Sequence, residues 1–210
     1  MFKDRREAGE LLAKRLEEYR GTDAIVLALP RGGVVLGYEI AKTLGLPLDV
    51  IIVRKIGAPG NPEYAIGAID ERGNRLSSEI SREYEKTGVD EEAKRQQKEA
   101  LRRARLYRAG ASAPALKHKI VILVDDGIAT GLTMRLAVRI VRAQKPERVV
   151  VAVPIAPEES AEILREEASV VTLEPPSEFL GAVGAHYLHF AQVSDDEVVK
   201  LISEAKSREK

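Results

Sequence analysis

Five short apolar runs, separated by segments of helical periodicity, constrain the fold of this chain more than any other feature. The runs are AIVLAL (24–29), LDVIIV (48–53), KIVILV (119–124), RVVVAVP (148–154) and SVVTLEP (169–175). Continuous apolar character over so few residues is typical of strands buried on both faces of a parallel sheet. We therefore expect an α/β fold in three layers, with a mostly parallel sheet between helices on both faces.

The segments between these runs predict the remaining elements. Apolar residues at helical spacing predict an amphipathic helix over 5–19, and a helix follows the turn Pro30-Arg31-Gly32-Gly33. Two segments around the glycine turn at 71–73 predict a β-hairpin over 65–70 and 74–77. Further helices are predicted over about 78–86, 90–108 and 157–167, from near Leu132, and after Ser194.

Composition excludes several classes of protein. The 33 basic and 33 acidic residues cancel, so no global field favours nucleic acid or a membrane as partner. Without cysteine the chain has no disulfide framework, thiolate metal site or cysteine nucleophile. The charged start of the chain is unlike a signal peptide, and no apolar run approaches the length of about 20 residues that spans a bilayer. We expect one domain over 1–210, located in the cytoplasm.

The segment after the third run carries chemistry. Asp125 and Asp126 follow a strand, where two carboxylates suit a vicinal diol, directly or through Mg²⁺. The small residues that follow allow backbone amides to converge on an anion at a helix N-terminus, and Thr130 and Thr133 add hydroxyl donors. Diol acceptors beside a phosphate cradle predict a ribose 5-phosphate site. The alternative is that the acids only cap a helix and Gly131 eases the turn.

Other phosphate loops do not fit this sequence. It contains no G-x-x-x-x-G-K-[ST] segment, and no G-x-G-x-x-G follows the first strand. The P-loop NTPase and dinucleotide-binding interpretations therefore fail.

VILVDDGIATGLTM (121–134) resembles the signature with which type I phosphoribosyltransferases bind 5-phosphoribosyl-1-pyrophosphate (PRPP). LPRGGVVLGYEIA resembles their pyrophosphate loop, and VRKIGAPGNPE resembles the start of their flexible catalytic loop. The order of motifs from about 24 to 194 is similar to the subgroup called predicted or "putative" phosphoribosyltransferases.

The resemblance implies roles for two groups of residues. Asp125 and Asp126 would be catalytic and would bind the ribose. With them, the residues that bind ribose and 5-phosphate would be Gly127, Ile128, Ala129, Thr130, Gly131, Leu132 and Thr133. The pyrophosphate would be bound by Pro30, Arg31, Gly32, Gly33 and Lys55, with Arg54 and Lys55 as catalytic cations. Arg54 and Lys55 would end the second strand and begin a mobile lid.

Two further segments are implied as additions to the domain. A helical insertion over about 78–110 carries a basic stripe of Arg95, Lys98, Arg102, Arg103, Arg105 and Arg108. Glutamates dilute this stripe and no aromatic platform accompanies it, which favours a solvated face or an oligomer contact over RNA binding. A hood over about 175–194 would cover the acceptor with Phe179, His186, Tyr187 and Phe190, although closing a small core is an equal alternative.

The implied function is transfer of a phosphoribosyl group from PRPP, with Mg²⁺ as cofactor, to a nitrogenous base or similar acceptor. Mg²⁺ would be held through PRPP, with Asp125 and Asp126 as candidate ligands. The alternative is a sensor of PRPP or nucleotides that binds RNA or protein, and a weaker one is hydrolysis with water as acceptor. We expect no membrane partner, do not favour nucleic acid, and expect a homodimer from the fold.

Overall fold

A computed structural model of the protein describes residues 1–208, apart from the side chains of Glu63 and Pro176. At its centre lies a sheet of five strands, all of them parallel. The strands are β1 (Ala24–Ala28), β2 (Leu48–Val50), β6 (Ile120–Val124), β7 (Arg148–Val153) and β8 (Ser169–Thr172), in the spatial order β2-β1-β6-β7-β8. Each of the five apolar runs thus supplies a strand, as predicted.

Within the described residues 1–208, six α-helices accompany this sheet. They are α1 (Arg5–Arg15), α2 (Gly32–Leu44), α3 (Lys86–Arg108), α4 (Leu132–Arg142), α5 (Glu158–Arg165) and α6 (Asp195–Arg208). Alternate residues of β6 face two cores: Ile122 and Val124 pack with α1, α2 and α6, whereas Val121 and Leu123 pack with α4 and α5. This alternation along the central strand produces the predicted three layers.

A second sheet is antiparallel and consists of β3 (Val53–Ala58), β4 (Asn61–Asp70) and β5 (Arg75–Ser77). The predicted hairpin over 65–70 and 74–77 is confirmed by the pairing of β4 with β5. The prediction that Arg54 and Lys55 end the second strand was wrong, because β2 ends at Val50 and both residues lie inside β3. The buried side chains of Ile56 and Ile66 explain this pairing, since they form a core with Val89 and Ala93 of α3.

The polar segment 78–108 also differs from prediction. Residues Glu79–Glu83 form a short 3₁₀ helix, and α3 begins at Lys86 rather than at 90. Residues Pro176–Glu178 and Val183–His186 form two further 3₁₀ turns in the segment predicted as a hood. Among residues 1–208, no helix combines the length and apolar character needed to cross a bilayer.

Candidate active site

The acidic pair follows directly from the end of β6, where the chain leaves the parallel sheet. Both side chains are half-buried, and the backbone amide of Asp126 donates to Oδ1 of Asp125 at 2.8 Å. Burial, reinforced by the neighbouring Asp126 carboxylate, raises the pKa of Asp125 well above its usual range. A raised pKa favours the protonated, neutral form of Asp125, so the two acids carry less negative charge than two separated surface carboxylates do.

Two glycines of the loop after β1 pack against these acids. A β-carbon on Gly32 would overlap Oδ2 of Asp126, and one on Gly33 would lie 2.7 Å from the carbonyl oxygen of Val124 and 2.9 Å from Cα of Asp125. The peptide bond between Pro30 and Arg31 is cis. The predicted pyrophosphate loop and the acidic pair are thus brought together, and only residues without a side chain allow this approach.

The turn from Gly127 to Thr133 connects the acidic pair to α4. Gly131 has a φ of 73° immediately before Leu132, the first residue of α4. Ser160 Oγ donates to the carbonyl oxygen of Ala129 at 2.9 Å, which fixes the turn from outside. Ala129 and Thr130 are exposed and Thr133 is half-buried, so these residues are accessible from solvent.

Ile128 has a structural role in this turn. Its side chain is buried, and its amide donates to the carbonyl oxygen of Ile155 at 3.0 Å. In this conformation the amide is already used, so Ile128 anchors the turn. The expected contact between Ile128 and the ligand stays a prediction.

Arg5 is a site residue that the sequence analysis missed. Its Nε lies 2.8 Å from Oδ2 of Asp126, and Nη1 donates to the carbonyl oxygen of Ala191 at 2.7 Å. Its guanidinium carbon lies 3.8 Å from the ring centroid of Phe190. Asp4 caps α1 and fixes where the helix begins, but no local signal in the sequence pairs Arg5 with a residue 121 positions later.

The hood reaches the acidic pair through Tyr187. Its hydroxyl donates to the backbone carbonyl oxygen of Asp126 at 2.6 Å, and its ring lies 4.9 Å from that of Phe190 and 5.5 Å from that of Phe2. Burial, chiefly, raises the pKa of Tyr187, so the hydroxyl stays protonated and remains a donor. Because one of these rings is buried and the other has Arg5 against its face, Tyr187 and Phe190 close the site more than they present free faces.

His186 lies in the hood, and its ring has partners within the protein. Its ring is 2% exposed, its Nδ1 lies 2.5 Å from Oε2 of Glu174, and its Nε2 accepts from the amide of Leu180 at 3.0 Å. Phe179 stacks against this ring at 5.6 Å. Both ring nitrogens of His186 therefore have partners within the protein, and its expected contact with an acceptor stays a prediction.

The predicted cations lie around the other side of the glycine loop. Arg31 lies 3.8 Å from Asp195, and Arg54 donates to the side-chain oxygen of Gln96 at 3.0 Å. Burial, and then the nearby Arg103 guanidinium, lower the pKa of Arg54. Lys55 is half-buried on the neighbouring position of β3. Positive potential therefore accumulates beside the loop predicted to bind pyrophosphate.

The basic stripe of α3 is largely paired within the protein. Arg102 and Arg103 bond Glu99, Arg95 bonds Glu92, and Arg108 bonds Asp49. These pairs agree with the solvated-face interpretation and weaken the case for an RNA-binding surface. Across residues 1–208, the structure contains no group of three acidic, histidine or cysteine side chains that could hold a metal ion by itself.

Comparison with known proteins identifies the family. Residues 3–188 match the phosphoribosyl transferase domain family. Two relatives from Mycobacterium tuberculosis strains CDC 1551 and H37Rv, each named "putative phosphoribosyl transferase", are 43% identical over 209 residues. These alignments cover 98% of this chain and 47% of each relative, so the chain spans about half their length.

A solved structure agrees with the sequence relationship. The crystal structure of TT1426 from Thermus thermophilus superposes with a TM-score of 0.80 at 46% identity, covering 97% of this chain and 98% of that one. The fold expected from the sequence therefore agrees with the family match, and this chain belongs to the phosphoribosyl transferase domain family.

Proposed function

We propose that this protein binds PRPP with Mg²⁺ and transfers the phosphoribosyl group to a nitrogenous base or similar small acceptor, releasing pyrophosphate. The observation that carries the proposal is the packing of Gly32 and Gly33 against Asp125 and Asp126. This packing brings an anion-binding loop next to diol acceptors at the carboxyl ends of two adjacent parallel strands. PRPP has a diol and a pyrophosphate on neighbouring ring carbons, which matches that juxtaposition.

Each part of PRPP then has a partner in the chain. The carboxylates of Asp125 and Asp126 accept hydrogen bonds from the ribose hydroxyls, and the turn 129–133 receives the 5-phosphate at the start of α4. The pyrophosphate lies on the loop 30–33, within reach of the positive potential from Arg31, Arg54 and Lys55. These are the roles that the family resemblance implied, with Ile128 kept as an anchor.

The reaction is displacement at C1 of the ribose, and it needs no covalent nucleophile from the protein. As the bond to pyrophosphate lengthens, the ring acquires oxocarbenium character and the leaving group gains negative charge. The acidic pair stabilises the ring and the cations stabilise the departing pyrophosphate. Buried Tyr187 and its neighbour Phe190 limit access of water from the hood side.

The acidic pair fits Mg²⁺ that arrives with PRPP. Mg²⁺ in phosphate chemistry commonly takes one or two protein carboxylates and completes its shell with phosphate oxygens and water. Asp125 and Asp126 supply two carboxylates and the described residues form no larger cluster, so the metal depends on the substrate. Bound there, Mg²⁺ would neutralise charge on the pyrophosphate.

The test is calorimetric titration of Mg²⁺–PRPP into the wild type and the Asp125→Asn/Asp126→Asn double variant. We expect saturable binding to the wild type and none to the double variant. Asp196→Asn is the control, because Asp196 is exposed at the start of α6 and lies outside the site. If the folded wild type does not bind PRPP, the proposal fails. Binding of a mononucleotide alone would instead favour the alternative that the protein is a nucleotide sensor.

A second measurement separates enzyme from sensor. Wild-type protein with Mg²⁺–PRPP is incubated with single bases drawn from purines and pyrimidines, and released pyrophosphate is followed. Base-dependent release supports a transferase, and release without any base supports hydrolysis. PRPP binding without release in either case would contradict the proposed activity while leaving the site intact.

A further inference from the structure

Arg5 lies outside the motifs of the acidic pair, the glycine loop and the hood, yet it contacts all three. Nε bonds Asp126, Nη1 bonds the carbonyl oxygen of Ala191, and the guanidinium stacks on Phe190. A β-carbon on Gly32 would lie 2.9 Å from Nε of Arg5, so the missing side chain of Gly32 makes room for this cation too. One side chain from α1 thus joins elements that are far apart in sequence.

The ion pair between Arg5 and Asp126 is shielded from solvent. The two side chains are 11% and 17% exposed. Charge-assisted hydrogen bonds in such surroundings are stronger and more directional than those at the surface. The bond to Oδ2 fixes the orientation of the Asp126 carboxylate.

We propose that Arg5 is a positioning residue of the PRPP site: by holding Asp126 through Oδ2 and the hood through Phe190 and Ala191, it sets the geometry in which Asp126 receives the ribose. This inference rests on the proposed function and deepens it. Arg5 acts through Asp126 and the hood and need not touch PRPP itself.

The neighbouring Arg6 provides a matched comparison. It lies on the same helix and forms an ion pair of similar length, 2.7 Å, with buried Glu39 of α2, away from the acidic pair. Replacing Arg6 removes an α1–α2 ion pair without changing the site. Loss of function specific to Arg5 is therefore separable from general loosening of α1.

A solvent-open cleft reaches Arg5 and is not lined by Asp126. It has a volume of about 210 Å³ and is lined in part by Arg5, Val35, His189 and Gln192. Removing the Arg5 side chain leaves a space that a small planar cation can enter from this cleft. Methylguanidinium has the same hydrogen-bonding fork as the lost side chain.

The experiment measures Mg²⁺–PRPP affinity for wild type, Arg5→Ala, Arg5→Lys and Arg6→Ala, with and without methylguanidinium. We expect Arg5→Ala to weaken binding at least about tenfold, which is typical for loss of a charged hydrogen bond. Added methylguanidinium should recover part of that affinity in Arg5→Ala and in no other variant. Arg5→Lys should bind less tightly than wild type, because it keeps the charge and loses the planar fork.

Arg6→Ala is expected to lower the melting temperature and leave PRPP affinity unchanged. The inference is overturned if Arg5→Ala binds PRPP within twofold of wild type, or if Arg5 and Arg6 variants weaken binding equally. If Arg5→Ala does not fold, Arg5→Lys decides, and wild-type affinity in that variant contradicts the inference. Absence of PRPP binding to the wild type is a different result, because it removes the proposed function and this inference with it.

Discussion

Gly32 and Asp126 meet at a junction with no room for a side chain on the glycine, since a β-carbon there would overlap the Oδ2 atom of the aspartate. The neighbouring Gly33 meets backbone atoms of Val124 and Asp125 instead. The two glycines therefore have different roles. Gly32 leaves space for the Asp126 carboxylate, whereas Gly33 allows two main-chain segments to approach each other closely.

Gly32→Ala should affect binding more than stability. The Asp126 side chain can rotate away from the new methyl group, so we expect a loss of about 1 kcal/mol in the free energy of unfolding. Rotation breaks the contact with Arg5 and misplaces the carboxylate, so PRPP affinity should fall at least about tenfold. Denaturant titration and calorimetry on one preparation measure both effects.

Gly33→Ala should affect the stability of the fold more than it affects PRPP binding. Its methyl group meets Val124 and Asp125 main-chain atoms that cannot rotate away, and we expect a loss of about 2–3 kcal/mol in unfolding free energy. Gly88→Ala is the control: it lies inside α3 with ordinary contact to Pro59, so it should be neutral or stabilising. Equal destabilisation by Gly32→Ala and Gly33→Ala would contradict this distinction.

Tyr187→Phe should weaken the attachment of the hood to the backbone of Asp126 while the aromatic ring stays in place. The ring stays, but the carbonyl oxygen of Asp126 loses the donor 2.6 Å away, and we expect a loss of about 1–2 kcal/mol in unfolding free energy. Hydrogen exchange of the amides from 126 to 131 should quicken in the variant. Unchanged exchange there, with wild-type stability, would show that the hydroxyl does not hold the loop.

Glu99→Gln should remove a contribution to the free energy of unfolding that disappears at acidic pH. Hydrogen bonding to Arg102, above all, lowers the pKa of Glu99 from 4.5 to about 2. A depressed carboxyl pKa stabilises the fold above the unfolded value, and that contribution disappears as pH falls from 4.5 towards 2. Because Glu99 is nearly one-third exposed, we expect a difference of only about 1 kcal/mol at pH 7.

Unfolding curves of wild type and Glu99→Gln at several pH values measure this contribution. The gap between them should be full above pH 4.5 and close towards pH 2. Glu91→Gln, exposed on the same helix, is the control and should match wild type throughout. A gap that persists unchanged to the lowest pH would assign the effect to packing instead of charge.

Arg54→Met should raise the stability of the fold and weaken the binding of pyrophosphate. Burial disfavours the charged guanidinium, which also lies near the cations Arg103 and Arg31. We expect replacement by an apolar side chain to raise the unfolding free energy by about 0.5–1 kcal/mol while weakening pyrophosphate binding. Arg105→Met, at an exposed position of α3, should change neither quantity. A destabilised Arg54→Met would show that this cation is structural.

Much of this architecture could be predicted because its signals are local. The continuous apolar runs predicted five buried parallel strands, and alternate residues such as Val121 and Ile122 do face opposite cores. The acidic pair and the glycine loop could be predicted to meet, since parallel strands end at a common edge. The family resemblance added the identity of the expected ligand, PRPP.

What could not be predicted depends on contacts between distant segments. Apolar residues such as Ile56 lie among glycines and prolines, which suggested a mobile lid, whereas burial against α3 makes the segment a strand. His186 had the chemistry of a ligand, but Glu174 and Leu180 take both of its nitrogens. Arg5 had no signal of its own in the sequence, because its contacts are with Asp126, Phe190 and Ala191, which are distant along the chain.

The bond from Arg5 to Ala191 has a further consequence for how the protein assembles. It joins residues 186 positions apart, and Phe2 pairs with Tyr187 over a similar separation. Loop-closure entropy must be overcome before contacts between such distant segments form, so we expect them to form late in folding. A nascent chain that ends before residue 187 lacks both contacts, so we expect ligand-binding competence only after synthesis has passed the hood.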